Sequence, residues 1–154
     1  MKRRDFIKQL GSAAVVAATV TPTMSFADAP KSANALSYKA AMDAITGGKT
    51  AAASDKVTLK VPEIAENGAV VPVTVLVDSP MTDADYVKSI HIIAGKNANA
   101  RCIDVHLSPA NGAAMFATRV KLGGTQDITA IVALSNGKFL MASQNVKVTI
   151  GGCG

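Results

Sequence analysis

Hydrophobic and polar positions alternate along most of the chain beyond residue 55. Apolar residues occupy every second position in residues 56–61 and again in residues 69–77, which is the pattern of half-buried β-strands. Turn signals such as Asn136–Gly137 separate these runs from later ones. Strands at this spacing predict an antiparallel β-sandwich. Six further strands are predicted at residues 87–94, 101–107, 115–121, 127–134, 138–142 and 146–150.

One short helix is predicted ahead of the strands. Leu36 and Ala40 recur at helical spacing, and Gly47 is a typical stop signal. Ser32 or Asn34 could cap the start of this helix, because both side chains can accept a hydrogen bond from a free backbone amide. The sequence therefore predicts a small helical element that precedes an all-β domain.

The first 27 residues have the pattern of an export signal. Arg3 and Arg4 precede a mildly apolar stretch of about a dozen residues, well short of the roughly 20 that a membrane span needs. Small residues at Ser25 and Ala27 fit a cleavage site after Ala27. The pattern resembles bacterial twin-arginine signals, so we expect a periplasmic protein without a membrane anchor.

Composition limits the possible functions once this segment is set aside. The 154 residues carry a formal net charge of +5. Four basic residues and one acidic residue lie in the first 27, so the remaining 127 carry only +2. With 4% aromatic residues and no Trp, the chain offers no basic aromatic surface for nucleic acid. Because 49% of the residues are hydrophobic and 18% are charged, a disordered chain is excluded.

The two cysteines, Cys102 and Cys153, have different surroundings. Cys153 lies between Gly151, Gly152 and Gly154, directly after a predicted strand. A catalytic cysteine needs a fixed position beside a base, whereas glycine gives the backbone its widest freedom. We interpret this tail as a flexible arm that presents a thiol to another protein. The pattern alone also allows an incidental tail, or a disulfide between the two cysteines.

Five stretches of the chain carry a resemblance to a known family. They are residues 62–68, 71–75, 78–81, 84–91 and 146–154, and the last contains the specific Gly-Gly-Cys-Gly tail. Together with the export signal they resemble the SoxY family, the Y subunits of the sulfur-oxidising Sox system. The family tail usually ends in one further glycine, whereas a single glycine follows Cys153 here.

The resemblance implies an immunoglobulin-like antiparallel β-sandwich with a short N-terminal helix and a flexible C-terminal Gly-Gly-Cys-Gly arm. The expected organisation is a signal peptide, a leader with the helix, the sandwich domain and the carrier arm, at residues 1–27, 28–48, 49–150 and 151–154.

The resemblance also implies a sulfur carrier with no catalysis and no cofactor of its own. Cys153 would hold thiosulfate-derived sulfur, and Gly151, Gly152 and Gly154 would keep the arm flexible. The implied partners are a SoxZ-type subunit in a heterodimer and the haem, manganese-hydrolase and sulfur-dehydrogenase components of the Sox system. No nucleic acid and no membrane is expected among its partners.

Two other functions compete with a carrier. One is a structural or adhesive β-sandwich module with an incidental tail. The other is a small metal-binding redox protein that uses Cys102, His106 and His91. Cys102 and His106 alternate with apolar residues and would share one strand face, but their spacing differs from that of a blue-copper site.

A basic strand face is also predicted. Arg119 and Lys121 lie two residues apart and would point to the same side of a strand. They could attract anionic thiosulfate or an acidic partner, or form an ordinary solvated surface.

Overall fold

The computed structural model describes residues 35–152. The predicted signal peptide, the candidate caps Ser32 and Asn34, and the tail residues Cys153 and Gly154 lie outside this range. No helix within residues 35–152 is long and apolar enough to cross a membrane. The elements are α1 (Tyr38–Thr46), β1 (Ala51–Ala53), β2 (Val57–Lys60), β3 (Ile64–Asn67), β4 (Val71–Val77), β5 (Val87–Ala94), β6 (Arg101–His106), a 3₁₀ turn (Pro109–Asn111), β7 (Ala114–Val120), β8 (Gln126–Leu134) and β9 (Phe139–Ile150).

The strands form two sheets, which confirms the predicted all-β fold with one short helix. The larger sheet has the order β1-β9-β8-β5-β6, with β3 also paired to β9, and the smaller sheet has the order β2-β4-β7. Most neighbours are antiparallel, as predicted, but β1 and β3 both run parallel to β9. They occupy the same edge of β9 at opposite ends, so this single strand receives two short parallel partners.

The core between the sheets follows from the alternation in the sequence. Val71, Val73 and Val75 of β4 are fully buried, and they pack in one cluster with Ile90 and Ile92 of β5. Because successive strand residues point to opposite faces, the same strands place their other residues outside this core. β6 is an edge strand of the larger sheet, and β7 is an edge strand of the smaller one.

The helix α1 covers part of the outer face of the larger sheet. Ala41 packs there against Ile93 and Ile131. Ser37 is the N-cap, and its hydroxyl accepts a hydrogen bond from the amide of Ala40. A cap at Ser37 corrects the sequence expectation, which placed it at Ser32 or Asn34. Gly47 ends the helix as predicted, with the left-handed φ of 63° that favours glycine.

The last part of the chain forms one strand, where the sequence predicts two. Residues 143–145 are polar, a composition typical of a turn, yet they continue β9 opposite β8. Their side chains bond across the pair: Asn145 Nδ2 donates to Asp127 Oδ1 at 2.8 Å, and the Ser143 and Thr129 hydroxyls lie 3.0 Å apart. Cross-strand hydrogen bonds thus hold polar residues in a strand.

Candidate functional site

The root of the tail is bonded to two loops of the domain. The amide of Gly68 donates to the carbonyl oxygen of Ile150 at 2.7 Å. The carbonyl oxygen of Gly68 accepts a hydrogen bond from the amide of Leu122, also at 2.7 Å. The amide of Gly152 in turn donates to the carbonyl oxygen of Leu122 at 2.9 Å. The turn after β3, the loop after β7 and the end of β9 are therefore joined through backbone atoms.

Gly151 and Gly152 have no room for side chains. A Cβ atom on Gly151 would lie 2.5 Å from the carbonyl oxygen of Gly123, and one on Gly152 would lie 2.7 Å from the backbone nitrogen of Ala69. The sequence predicts a flexible arm that begins at Gly151. In the structure both glycines lie close to backbone atoms of the domain, and the flexibility of the arm stays a prediction.

Cys102 lies at an irregularity in the pairing of β5 with β6. Ile92 pairs with Ile103 and Ile93 pairs with Arg101, so Cys102 is the extra residue between them. Its side chain packs against the core between the sheets. It is a free thiol, and burial raises its pKa.

The bulge separates Cys102 from the two histidines. His91 pairs with Asp104 and His106 pairs with Ser89, on the face of the larger sheet that points away from the core. The expectation that Cys102 and His106 share one strand face is therefore wrong. Within residues 35–152 no group of three or more potential metal ligands is brought together, and the metal-binding alternative loses its proposed ligand set.

His91 is the centre of a buried polar network. Its Nδ1 lies 2.5 Å from Asp104 Oδ1, and its Nε2 lies 2.9 Å from the Ser89 hydroxyl. Because an ionised carboxylate only accepts hydrogen bonds, Nδ1 carries the proton and the Ser89 hydroxyl donates to Nε2. Arg101 Nε also donates to Asp104, at 2.9 Å.

This network shifts two pKa values. Burial lowers the pKa of His91 and outweighs the opposing effect of Asp104. Burial alone would raise the pKa of Asp104, but the hydrogen bonds from His91 and Arg101 outweigh it and lower that pKa. The folded protein therefore favours a neutral His91 beside an ionised Asp104.

The order Ser89–His91–Asp104 is that of a hydrolytic triad, but the surroundings are those of a structural network. Ser89 and His91 are each only 6% exposed. A nucleophile must reach a substrate in a cleft beside oxyanion donors. Neither Ser89 nor His91 lines the four cavities described among residues 35–152. Sequence reasoning missed Ser89, although its position two residues before His91 on a strand was an available signal.

The basic residues predicted at β7 line a cavity. Arg119 and Lys121 line a cavity of about 260 Å³ together with Arg101 and Cys102. Sequence reasoning did not place Arg101 there. The cavity thus combines residues from both edge strands, β6 and β7.

A profile of the sulfur oxidation protein SoxY family matches residues 42–153. The chain belongs to the SoxY family. The match extends through Cys153, so the tail cysteine falls inside the family region. A search of curated proteins returned no significant match.

Solved structures agree with membership of the SoxY family. The sulfur carrier protein SoxY from Chlorobium limicola f thiosulfatophilum is similar at 31% identity with a TM-score of 0.61, over 71% of this chain and 94% of that one. A superoxide reductase (neelaredoxin) from Ignicoccus hospitalis is similar at 19% identity with a TM-score of 0.54, over 74% and 94% of the two chains. At that identity the second likeness shows a shared fold alone.

Proposed function

We propose that the protein is a periplasmic sulfur carrier that holds thiosulfate-derived sulfur covalently on Cys153. Membership of the SoxY family and the likeness to a sulfur carrier of that family support this function. The single observation that carries it is the family match through residue 153, immediately after a glycine pair seated on the domain. Gly152, the residue before Cys153, is bonded to the domain through its amide.

Loading is an oxidation, and the carrier supplies only the thiol. A new S–S bond forms between Cys153 Sγ and the outer sulfur of thiosulfate. The thiol releases its proton, and two electrons pass to a haem-containing partner. Water then attacks the sulfonate sulfur in a hydrolase partner, sulfate leaves and a persulfide stays on Cys153. A sulfur dehydrogenase oxidises that remaining sulfur.

We further propose a SoxZ-type subunit as the structural partner, in a heterodimer. The hydrolase component contains manganese, and none of the catalytic groups belongs to this chain. Export by the twin-arginine route fits this arrangement, because that route moves folded proteins and would carry a bound subunit that lacks its own signal.

The matched pair Cys153→Ser and Cys102→Ser tests the carrier function. Each variant is expressed in a thiosulfate-oxidising strain that lacks the native gene, and the intact mass of the purified protein is measured. We expect sulfur adducts and thiosulfate oxidation with Cys102→Ser and neither with Cys153→Ser. Full oxidation by the Cys153→Ser strain would refute the proposal.

A further inference from the structure

A cavity at the open edge of the sandwich gathers positive charge next to the tail. It lies between β6 of the larger sheet and β7 of the smaller one, and the loop before β6 closes one side. The polar residues that line it are Arg101, Arg119, Lys121, Asn97, Asn99 and Cys102.

The positive charges in this cavity are only partly compensated. Arg101 uses its Nε to bind Asp104, whose carboxylate is not part of the lining. Within residues 35–152 neither Arg119 nor Lys121 forms an ion pair. Because burial raises the pKa of the Cys102 thiol, this residue adds no negative charge near neutral pH. The cavity thus carries a net positive charge and attracts anions.

The two asparagines are held in fixed orientations. Asn97 Oδ1 accepts hydrogen bonds from the amide of Gly123 at 3.1 Å and from Gln126 Nε2 at 3.0 Å, and its Nδ2 donates to the carbonyl oxygen of Lys121 at 2.7 Å. Asn99 Oδ1 accepts from the amides of Leu36 and Arg101. The donor that Asn99 still offers is its Nδ2 group.

The cavity and the tail root are close neighbours. The Cβ position of Gly123 lies 3.7 Å from the carbonyl oxygen of Gly152 and 3.8 Å from Asn97 Oδ1. Those two oxygens are therefore no more than about 8 Å apart. One further residue spans about 3.8 Å between Cα atoms, so a group attached to Cys153 is within reach of the cavity.

We propose that the cavity between Arg101, Arg119 and Lys121 is a binding site for the –SO₃⁻ group of a sulfur oxyanion. Guanidinium groups bind tetrahedral oxyanions through two parallel hydrogen bonds, and a lysine adds a point charge. The group comes either from free thiosulfate or from the adduct on Cys153, and the second source rests on the proposed carrier function. An adduct held here stays at the domain surface between visits to partner enzymes.

The first experiment uses free anions and does not depend on Cys153. Cys153→Ser protein labelled with ¹⁵N is titrated with sulfate and thiosulfate at constant ionic strength. The side-chain signals of Asn97, Asn99 and Arg101 report binding. We expect saturable shifts at these groups. Arg119→Glu should weaken binding at least tenfold.

The matched control is Lys138→Glu, which makes the same change of charge on the hairpin before β9. It should change the affinity less than twofold, because Lys138 does not line the cavity. Equal losses in the two variants, or no saturable shift in Cys153→Ser protein, would overturn the proposal. Melting curves establish that both variants are folded.

The second experiment separates the two sources of the anion. Tetrathionate converts a thiolate to its S-thiosulfonate by cleaving the central S–S bond and releasing thiosulfate, and peptide mass confirms the adduct on Cys153. If the adduct occupies the cavity, the loaded protein shows the shifts without added anion and no longer binds free sulfate. If it still binds sulfate with unchanged affinity, free anions are the natural ligand. If the proposed carrier function were refuted, the result of the titration with free anions would still stand, because that titration uses Cys153→Ser protein.

Discussion

The amide of Gly152 donates a hydrogen bond of 2.9 Å to the carbonyl oxygen of Leu122, which ties the tail root to the loop after β7. The carbonyl oxygen of Gly68 accepts a hydrogen bond from the amide of the same Leu122. Three segments that are distant in sequence are thus joined by backbone–backbone hydrogen bonds. The close approach of their backbones is possible because glycine has no side chain. The chain is therefore bonded to the domain as far as Gly152.

Gly68→Ala should destabilise the domain. An added Cβ would overlap the carbonyl oxygen of Leu122 and would lie 2.8 Å from the amide nitrogen of Gly152. Since the surrounding atoms are mostly backbone, we expect a loss of about 1–3 kcal/mol in the free energy of unfolding, typical of overpacking. Urea denaturation measures it. Gly124→Ala is the control, because nothing lies within 4 Å of its added Cβ.

Gly152→Ala should release the tail root. The new Cβ would lie 2.7 Å from the Cα of Ala69, and a segment at the end of a strand can relieve the clash by moving away. We expect the amides of residues 151 and 152 to exchange with solvent at least tenfold faster, measured by hydrogen exchange. Unchanged exchange would mean that Ala69 moves instead. Gly124→Ala again serves as the control.

Much of the fold could be predicted from the sequence, because an alternation of apolar and polar residues marks a strand and shows which of its residues face the core. The alternating valines of β4 are the clearest case. The short strands β1 and β3 were missed: Ala51–Ala53 has no alternation, and both pair in parallel with a strand far along the chain. The division of β9 was predicted wrongly, since local polarity cannot reveal cross-strand bonds such as that between Asn145 and Asp127.

The site was predictable only as far as its local motif extends. The glycines around Cys153 identified the family and the candidate thiol. The positions of His91, Cys102 and Arg101 depend on one extra residue in the ladder, and a bulge redirects side chains without a clear mark in the sequence. The close packing at Gly152 was likewise unpredictable, since it depends on loops that are distant in sequence.

Replacing both Arg3 and Arg4 with lysine should block export. The paired arginines precede a weakly apolar stretch, the pattern read by the twin-arginine route. We expect the uncleaved precursor in the cytoplasm, identified by cell fractionation and intact mass. Lys8→Arg keeps the charge outside the pair and should be exported normally. Finding the double variant processed in the periplasm at the level of the unmodified protein would contradict the assignment.

Cys102 should react slowly with thiol reagents. Burial raises its pKa, so little of the reactive thiolate is present at pH 7.5. In the Cys153→Ser variant, where Cys102 is the remaining cysteine, we expect alkylation by iodoacetamide at least tenfold slower than in the same protein unfolded in urea. Equal rates would show that the thiol is open to solvent, contrary to its packing against the core.

Stability should fall as the pH drops below about 6.5, the ordinary pKa of histidine. Because burial lowers the pKa of His91 in the folded protein, the unfolded chain binds a proton first on acidification. Proton uptake by the unfolded state reduces the free energy of unfolding until the pH reaches the lowered pKa, where this loss ends. The lowered pKa of Asp104 adds a second loss at more acidic pH.

His91→Gln tests this assignment, because Gln cannot take up a proton and retains polar atoms for Ser89 and Asp104. Urea denaturation at several pH values between 7.5 and 5 gives the slope of stability against pH. We expect that slope to flatten in His91→Gln and to persist in His106→Gln, which changes the exposed histidine on the same sheet face. The variant should be less stable than the unmodified protein at pH 7.5, since the short bond to Asp104 is altered. An undiminished slope in His91→Gln would assign the acid sensitivity to other groups.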